Sequence, residues 1–261
     1  MPATMPQPTP VASPPVVTAP VHSIYKTFDE KHTPITLLLK GGNGTRKTTK
    51  AVQFPGPCLF NFDNNLSGLR NLDQALVSKL KIVNPLEDVK TGKTVRDIDV
   101  WDNFIKQLEA VVADPTVKTI IIDSLTTLAE RLMDKILKTG APEVNMQIQH
   151  WGDFTRYLKW LGDDLLCATD LDKNVVFIAH ENTQADGRMV LSIGSKQKES
   201  FGLYFSDVWR CFVKKGTSGP AQYLVRVQPA PNFDAKCSLK GLPDEFEWEA
   251  QSAAIFSQIV K

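Results

Sequence analysis

Gly41, Gly44, Lys47 and Thr48 fall within one tract, GGNGTRKTT, at a spacing suited to holding a chain of phosphates. A loop of the form G-x-x-x-x-G-K-[ST], placed between a strand and a helix, turns successive backbone N–H groups inward on phosphate oxygens, and the helix N-terminus adds positive potential. Gly41 takes the first glycine, and Gly42, Asn43, Gly44 and Thr45 fill the variable positions. Lys47 would neutralise the β- and γ-phosphates of a nucleotide, Thr48 would ligate Mg²⁺, and Thr49 closes the tract. Arg46 stands where the pattern wants its second glycine. It either distorts the loop or lends a guanidinium to the triphosphate, and both readings stand at the level of sequence. An ordinary Gly/Asn turn is the competing reading of the whole tract; the apolar run before it and the intact Lys-Thr-Thr weigh against that.

Three further residues sit where strands are expected to end. Asp63 follows the apolar run Cys58 to Phe62, and Asp123 closes VKTIIID. His180 follows NVVFIA. In a parallel sheet the functional groups gather at the carboxyl ends of strands. Asp63 can then position or activate an attacking water, or merely cap its turn. Asp123 can hold Mg²⁺ opposite Thr48 through the metal's water shell. His180 can report the γ-phosphate or be an ordinary structural imidazole.

The elements that must position these groups alternate between strand and helix. The first strand is expected over Ile35 to Lys40, with a helix from about Lys47 that stops before Pro55. A short strand is expected at Leu80 to Val83 and helices over Asp97 to Ala113, Leu125 to Lys138 and Gln147 to Ala168, the last two joined at Gly140-Ala141-Pro142. Trp151, Phe154, Tyr157, Leu158, Leu161 and Leu165 form a core stripe rather than a base-stacking platform. Residues 182 to 206, with Ser195 through Ser200 at their centre, read as a turn and polar loop that contributes no packed core. Strands at Trp209 to Lys214 and Tyr223 to Gln228 and a helix from Phe246 to Val260 end the chain.

Composition narrows the class. The chain has 261 residues, enough for one sizeable domain, and its formal net charge of +1 gives no global attraction to nucleic acid or membrane. Cys58, Cys167, Cys211 and Cys237 are scattered without metal-ligand spacing and read as reduced thiols. No apolar run suits a bilayer span or signal peptide, so a cytoplasmic location is expected. Residues 1–22 hold seven prolines and read as a disordered tail ahead of a domain at 23–261.

This order of elements resembles the RecA-like ATPase core, an α/β fold with a mostly parallel central sheet flanked by helices. GGNGTRKTT, IIIDSLTTL, QHWGDFTRYLKWL, VVFIAHE and NFDAKCSLK are similar to phage RecA-like ATPases, and among these to Sak-four-type single-strand annealing proteins. The resemblance covers about residues 30 to 245. It implies ATP and Mg²⁺ bound at the subunit interfaces of a homo-oligomeric ring or filament, in the bacterial host cytoplasm if the chain is phage-encoded. It also implies single-stranded DNA held by inner loops, with a single-strand-binding protein as a further partner. Lys47, Thr48, Asp123 and His180 match the family's phosphate, Mg²⁺ and γ-phosphate positions. Related proteins carry a glutamate after the second strand, and Asp63 in its place implies slow or weak hydrolysis. Segment 182–202 resembles the DNA-gripping loop, which makes Arg188, Lys196 and Lys198 candidates for phosphate contacts. Lys236 and Lys240 are candidates for contacts in trans to a neighbour's triphosphate, or form a solvated basic turn. The reading expected is a recombination ATPase that anneals single strands. The alternatives are a ring-shaped helicase or helicase loader, a nucleotide-gated DNA-binding module without turnover, and a small-molecule P-loop kinase, which would want several lid arginines where segment 182–202 has only Arg188.

Overall fold

The computed structural model describes residues 33–139, 145–166, 171–194, 196–215 and 220–259. The expected tail at 1–22, the Gly140-Ala141-Pro142 turn, Cys167 and Ser195 lie outside the described residues. In chain order the elements are β1 (Thr36–Gly41), α1 (Lys47–Ala51), β2 (Pro57–Asn61), α2 (Gln74–Val77), β3 (Lys81–Val83), α3 (Val100–Ala113), β4 (Thr119–Asp123) and α4 (Leu125–Leu137). Then come α5 (Ile148–Leu161), β5 (Asn174–Thr183), β6 (Met189–Leu191), α6 (Gln197–Ser200), β7 (Asp207–Lys214), β8 (Gln222–Arg226), β9 (Glu245–Glu247) and α7 (Trp248–Phe256).

The sheet runs β3-β2-β4-β5-β1-β7-β8-β9. Neighbours are parallel from β3 to β7, and β8 and β9 add antiparallel strands at one edge. Strands β1, β2, β4 and β5 read as continuous apolar runs because helices cover both faces. The pleat divides their side chains: Leu38, Phe60, Ile122 and Phe177 pack with Phe104, Leu128, Phe154 and Leu158 of α3, α4 and α5. Leu37, Leu39, Ile121 and Ile178 pack on the opposite face with Ala51 of α1 and Trp248 and Ile255 of α7. Phe154, Leu158, Leu161 and Leu165 are buried, so the α5 stripe is core.

Register brings the chemistry to one edge. Gly41 lies opposite His180 on β5 and Cys211 on β7, while Asn61 lies opposite Asp123. The phosphate loop, Asp63, Asp123 and His180 therefore emerge at the same carboxyl end of the sheet. Gly41 itself has φ 151°, and a Cβ there would collide with the Cys211 carbonyl oxygen. Only glycine lets β1 pass β7 and open into the loop.

Three expectations are corrected. Strand β5 does not end before His180 but runs on to Thr183, because β6 folds back on Glu181 to Thr183 as an antiparallel partner. Segment 182–206 does contribute core: Val190, Leu191, Phe201 and Phe205 are buried. Phe201 and Phe205 place their rings 6.2 and 5.5 Å from Phe177. Finally, Glu245–Glu247 is a strand paired with β8, and the last helix begins only at Trp248.

Candidate nucleotide site

The loop from Gly41 to Thr48 is held shut by its own lysines. Lys47 Nζ donates to the carbonyl oxygens of Gly41 at 2.9 Å and Gly42 at 2.8 Å. Burial lowers its pKa, partly countered by nearby acidic groups including Asp123 and Asp63. Lys50, buried one helical turn further on, donates to the Thr45 carbonyl at 3.0 Å and the Arg46 carbonyl at 3.4 Å.

The structure shows how Arg46 is accommodated without nucleotide. Its backbone adopts the left-handed conformation, φ 62° and ψ 35°, so the loop bends around the residue. Its guanidinium lies 3.6 Å from the ring centroid of Tyr223 on β8. The left-handed backbone costs about 1–2 kcal/mol and an exposed cation–π contact returns about 0.5–1 kcal/mol. The contact offsets about half of that cost, and an arginine is tolerated where a glycine would be simpler.

Beside the loop, Thr48 Oγ1 donates to Asp123 Oδ2 at 2.6 Å. Burial pushes the Asp123 carboxyl up to about 6, the Thr48 hydroxyl works against that, and the neighbouring Asp63 charge adds to it. Two hard oxygen donors on adjacent elements suit Mg²⁺, which commonly takes one or two protein oxygens and completes its shell with phosphate and water. Among the described residues no cluster of three or more His, Cys, Asp or Glu could hold a metal ion.

The raised carboxyl has a consequence for stability without nucleotide or Mg²⁺. A folded pKa near 6 against about 3.9 unfolded means that the folded state binds the extra proton. Asp123's contribution is complete below about pH 4 and is lost as pH rises through about 6. Asp123→Asn is therefore expected to stabilise the ligand-free protein at pH 8 by on the order of 2–3 kcal/mol, seen as a raised melting temperature, and to leave it unchanged at pH 4. Thermal melts of both proteins at the two pH values check this.

Asp63 follows β2 and reaches the same space. Its Oδ1 accepts from Ser124 Oγ at 2.8 Å and from Thr127 Oγ1, while Oδ2 lies 3.6 Å from His180 Nε2. Burial pushes this carboxyl up, but the neighbouring His180 and the bonds from Thr127 and Ser124 together outweigh burial and hold it below the usual carboxylate range. The His180 backbone N–H donates to Thr126 Oγ1 at 3.2 Å. Behind it, buried Glu181 is held between Lys40 at 3.5 Å and Arg210 at 2.9 Å.

One open cavity of about 690 Å³ brings these groups together: Asn43 through Thr49, Asp63, Asp123 and His180 all line it. The other candidates lie elsewhere. Arg188, Lys198 and Lys236 surround a second cavity of about 350 Å³ with Lys40, Glu199 and Asp234. Arg188 is paired there with Asp186 at 2.7 Å and Glu199 at 3.6 Å. Lys196 is exposed on the adjoining surface, where it and Lys198 line a further pocket with Gly194. The Lys240 backbone is bonded to Gln258 of the C-terminal segment.

A family model described as an AAA domain matches residues 33–239. The chain belongs to the AAA domain family. Among solved structures this AAA domain is similar to a KaiC-like protein from the hyperthermophilic archaeon Pyrococcus horikoshii OT3. Identity is 17%, the TM-score is 0.51, and the match covers 82% of this chain and 84% of that one. A flagellar accessory protein FlaH from Methanocaldococcus jannaschii matches at 12% identity and a TM-score of 0.36, over 74% and 76% of the two chains. No curated protein matches. The family and the sheet identify the fold of this AAA domain as a RecA-like P-loop core. Among the described residues no helix is long and apolar enough to cross a membrane.

Sequence reasoning passed over several residues of this AAA domain's site. Ser124, Thr126 and Thr127 were legible as a run of hydroxyls after a strand ending in Asp. Tyr223, which carries Arg46, and Glu249, which lines the cavity from α7, lie far along the chain and give no local signal.

Proposed function

We propose that this AAA domain protein binds ATP with Mg²⁺, hydrolyses it slowly, and assembles as a homo-oligomer on single-stranded DNA to promote annealing. The observation that carries the nucleotide part is the convergence of the phosphate loop, the Thr48–Asp123 pair and the Asp63–His180 pair on one cavity. Its volume suits a nucleotide-sized ligand. Thr48 and Asp123 would hold Mg²⁺, which neutralises charge on the phosphates. The water oxygen bonds to the γ-phosphorus, and the bridging P–O bond breaks with its electron pair leaving on ADP. The water proton passes to Asp63 Oδ2 and then to the released phosphate.

The DNA part is supported by the resemblance to single-strand annealing proteins and by the cluster of Lys40, Arg188, Lys198 and Lys236 around one cavity. Lys40 there is buried against Glu181 and Arg188 is paired with Asp186 and Glu199, so Lys198 and Lys236 are the cations that would meet an incoming phosphate. Lys236 and Lys240 would reach a neighbour's triphosphate only in an oligomer.

A second reading is a nucleotide-gated DNA-binding module without turnover. It is favoured by one observation: the carboxylate facing the cavity is a short aspartate with two donors already on it. ATP turnover with and without single-stranded DNA, run beside oligonucleotide binding over a salt series, tests both. Stimulated turnover is expected, with a log–log salt slope of about −2 if Arg188, Lys196 and Lys198 each neutralise one phosphate. Binding of both ligands without turnover would favour the module, and no DNA binding in any nucleotide state would sink the annealing reading.

A further inference from the structure

The first turn of α4 carries hydroxyls whose use is not explained by helix formation alone. Ser124 caps the helix, its Oγ accepting from the Thr127 N–H at 3.2 Å. Thr127 occupies the third helical position, where a capping box would put a Glu or Gln reaching back to the cap. Its hydroxyl is instead turned across to β2's end, onto Asp63. The turn is rigid, because Leu125, Leu128, Ala129 and Leu132 of the same helix are buried. Thr127 is also β-branched and stiff about its first torsion.

We propose that Thr127, assisted by Ser124, is a positioning residue for ATP hydrolysis, fixing Asp63 so that Oδ2 alone receives the proton of the attacking water. This rests on the reading of Asp63 as the proton acceptor. The terminal torsion of an aspartate is broad and nearly two-fold, so an unrestrained carboxylate offers either oxygen to the cavity. Two hydroxyls donating to Oδ1 remove that symmetry by occupying both of its lone-pair directions. Oδ2 is left turned to His180, at 3.6 Å. Thr126 takes the His180 backbone N–H, so one turn of helix sets both groups at the γ-phosphate end. The same donors stabilise the ionised carboxylate and weaken it as a base, a physical reason for slow turnover in a site that is otherwise well ordered.

The test uses Thr127→Val, which keeps the shape and removes the hydroxyl, and Thr127→Ser, which keeps the hydroxyl. Thr127→Val is expected to lower kcat about tenfold or more, since small misplacements of a reacting group are costly. KM and the affinity for a fluorescent ATP analogue should stay within about twofold. Thr127→Ser should restore most of kcat. Unchanged kcat in Thr127→Val, or equal loss in Thr127→Ser, overturns the proposal. On an Asp63→Asn background the valine change should have no further effect; an equal further loss there means that the hydroxyl acts independently of Asp63, which also overturns it. If Asp63→Asn itself turns over like wild type, the reading of Asp63 fails instead. A readout without activity covers a wild type that does not turn over: the ring ¹⁵N resonances of His180 in the ligand-free protein. They should shift or broaden in Thr127→Val and return in Thr127→Ser, and unchanged resonances overturn the proposal.

Discussion

Asp63→Asn is expected to lower ATP turnover by about 10²–10⁴-fold, the range for loss of a general base, while nucleotide affinity stays within a few-fold. The amide is nearly isosteric, and its oxygen can still accept from Ser124 and Thr127, so the local packing survives. What it lacks is the anionic oxygen beside His180 that would take the water proton. The phosphate loop and the Thr48–Asp123 pair, which would carry the binding energy, do not depend on Asp63's charge for their own bonds. Steady-state kinetics with a parallel equilibrium titration of a fluorescent ATP analogue check both halves. A variant with wild-type turnover would assign the proton to another acceptor and leave Asp63 as the cap of its turn.

The groups that define this site were legible because parallel strands covered on both faces must be written as apolar runs, and a glycine or carboxylate at the end of such a run is conspicuous. Gly41, Asp63 and Asp123 were found in this way, and the register of β1, β2, β4 and β5 aligns them. The sequence was less informative where structure comes from antiparallel return. Strands β6 and β9 have three residues each and are defined by pairing with β5 and β8, not by a pattern of their own. Val190, Leu191, Phe201 and Phe205 are dispersed among Lys, Gln, Glu and Ser, so a segment that supplies buried rings beside Phe177 read as polar loop. The contact of Arg46 was not legible from its neighbours, because the ring it lies on arrives with β8. Local spacing finds groups that one strand and one loop present together, and misses those a distant element supplies.

Lys47→Ala is expected to weaken nucleotide binding about 100-fold, from the loss of a charge-assisted contact worth about 3 kcal/mol. In the ligand-free protein the ammonium donates to the Gly41 and Gly42 carbonyls, and burial lowers its pKa. Those carbonyls are weak partners for a buried cation compared with a triphosphate, so the lysine gains most of its favourable interaction only when phosphate arrives. Its removal relieves the burial of a charge while leaving the loop carbonyls one donor short, two effects of opposite sign on the stability of the free protein. The difference should therefore appear in the ligand-induced shift of melting temperature. At a nucleotide concentration 100 times the wild-type Kd, binding stabilises the wild type by about 2.7 kcal/mol. A 100-fold weaker variant gains only about 0.4 kcal/mol under the same conditions. At roughly 2–4 °C per kcal/mol this is a shift of about 5–11 °C reduced to about 1 °C. Equal shifts in the two proteins would remove Lys47 from the phosphate site and, with it, the reading of the glycine-rich loop as a nucleotide cradle.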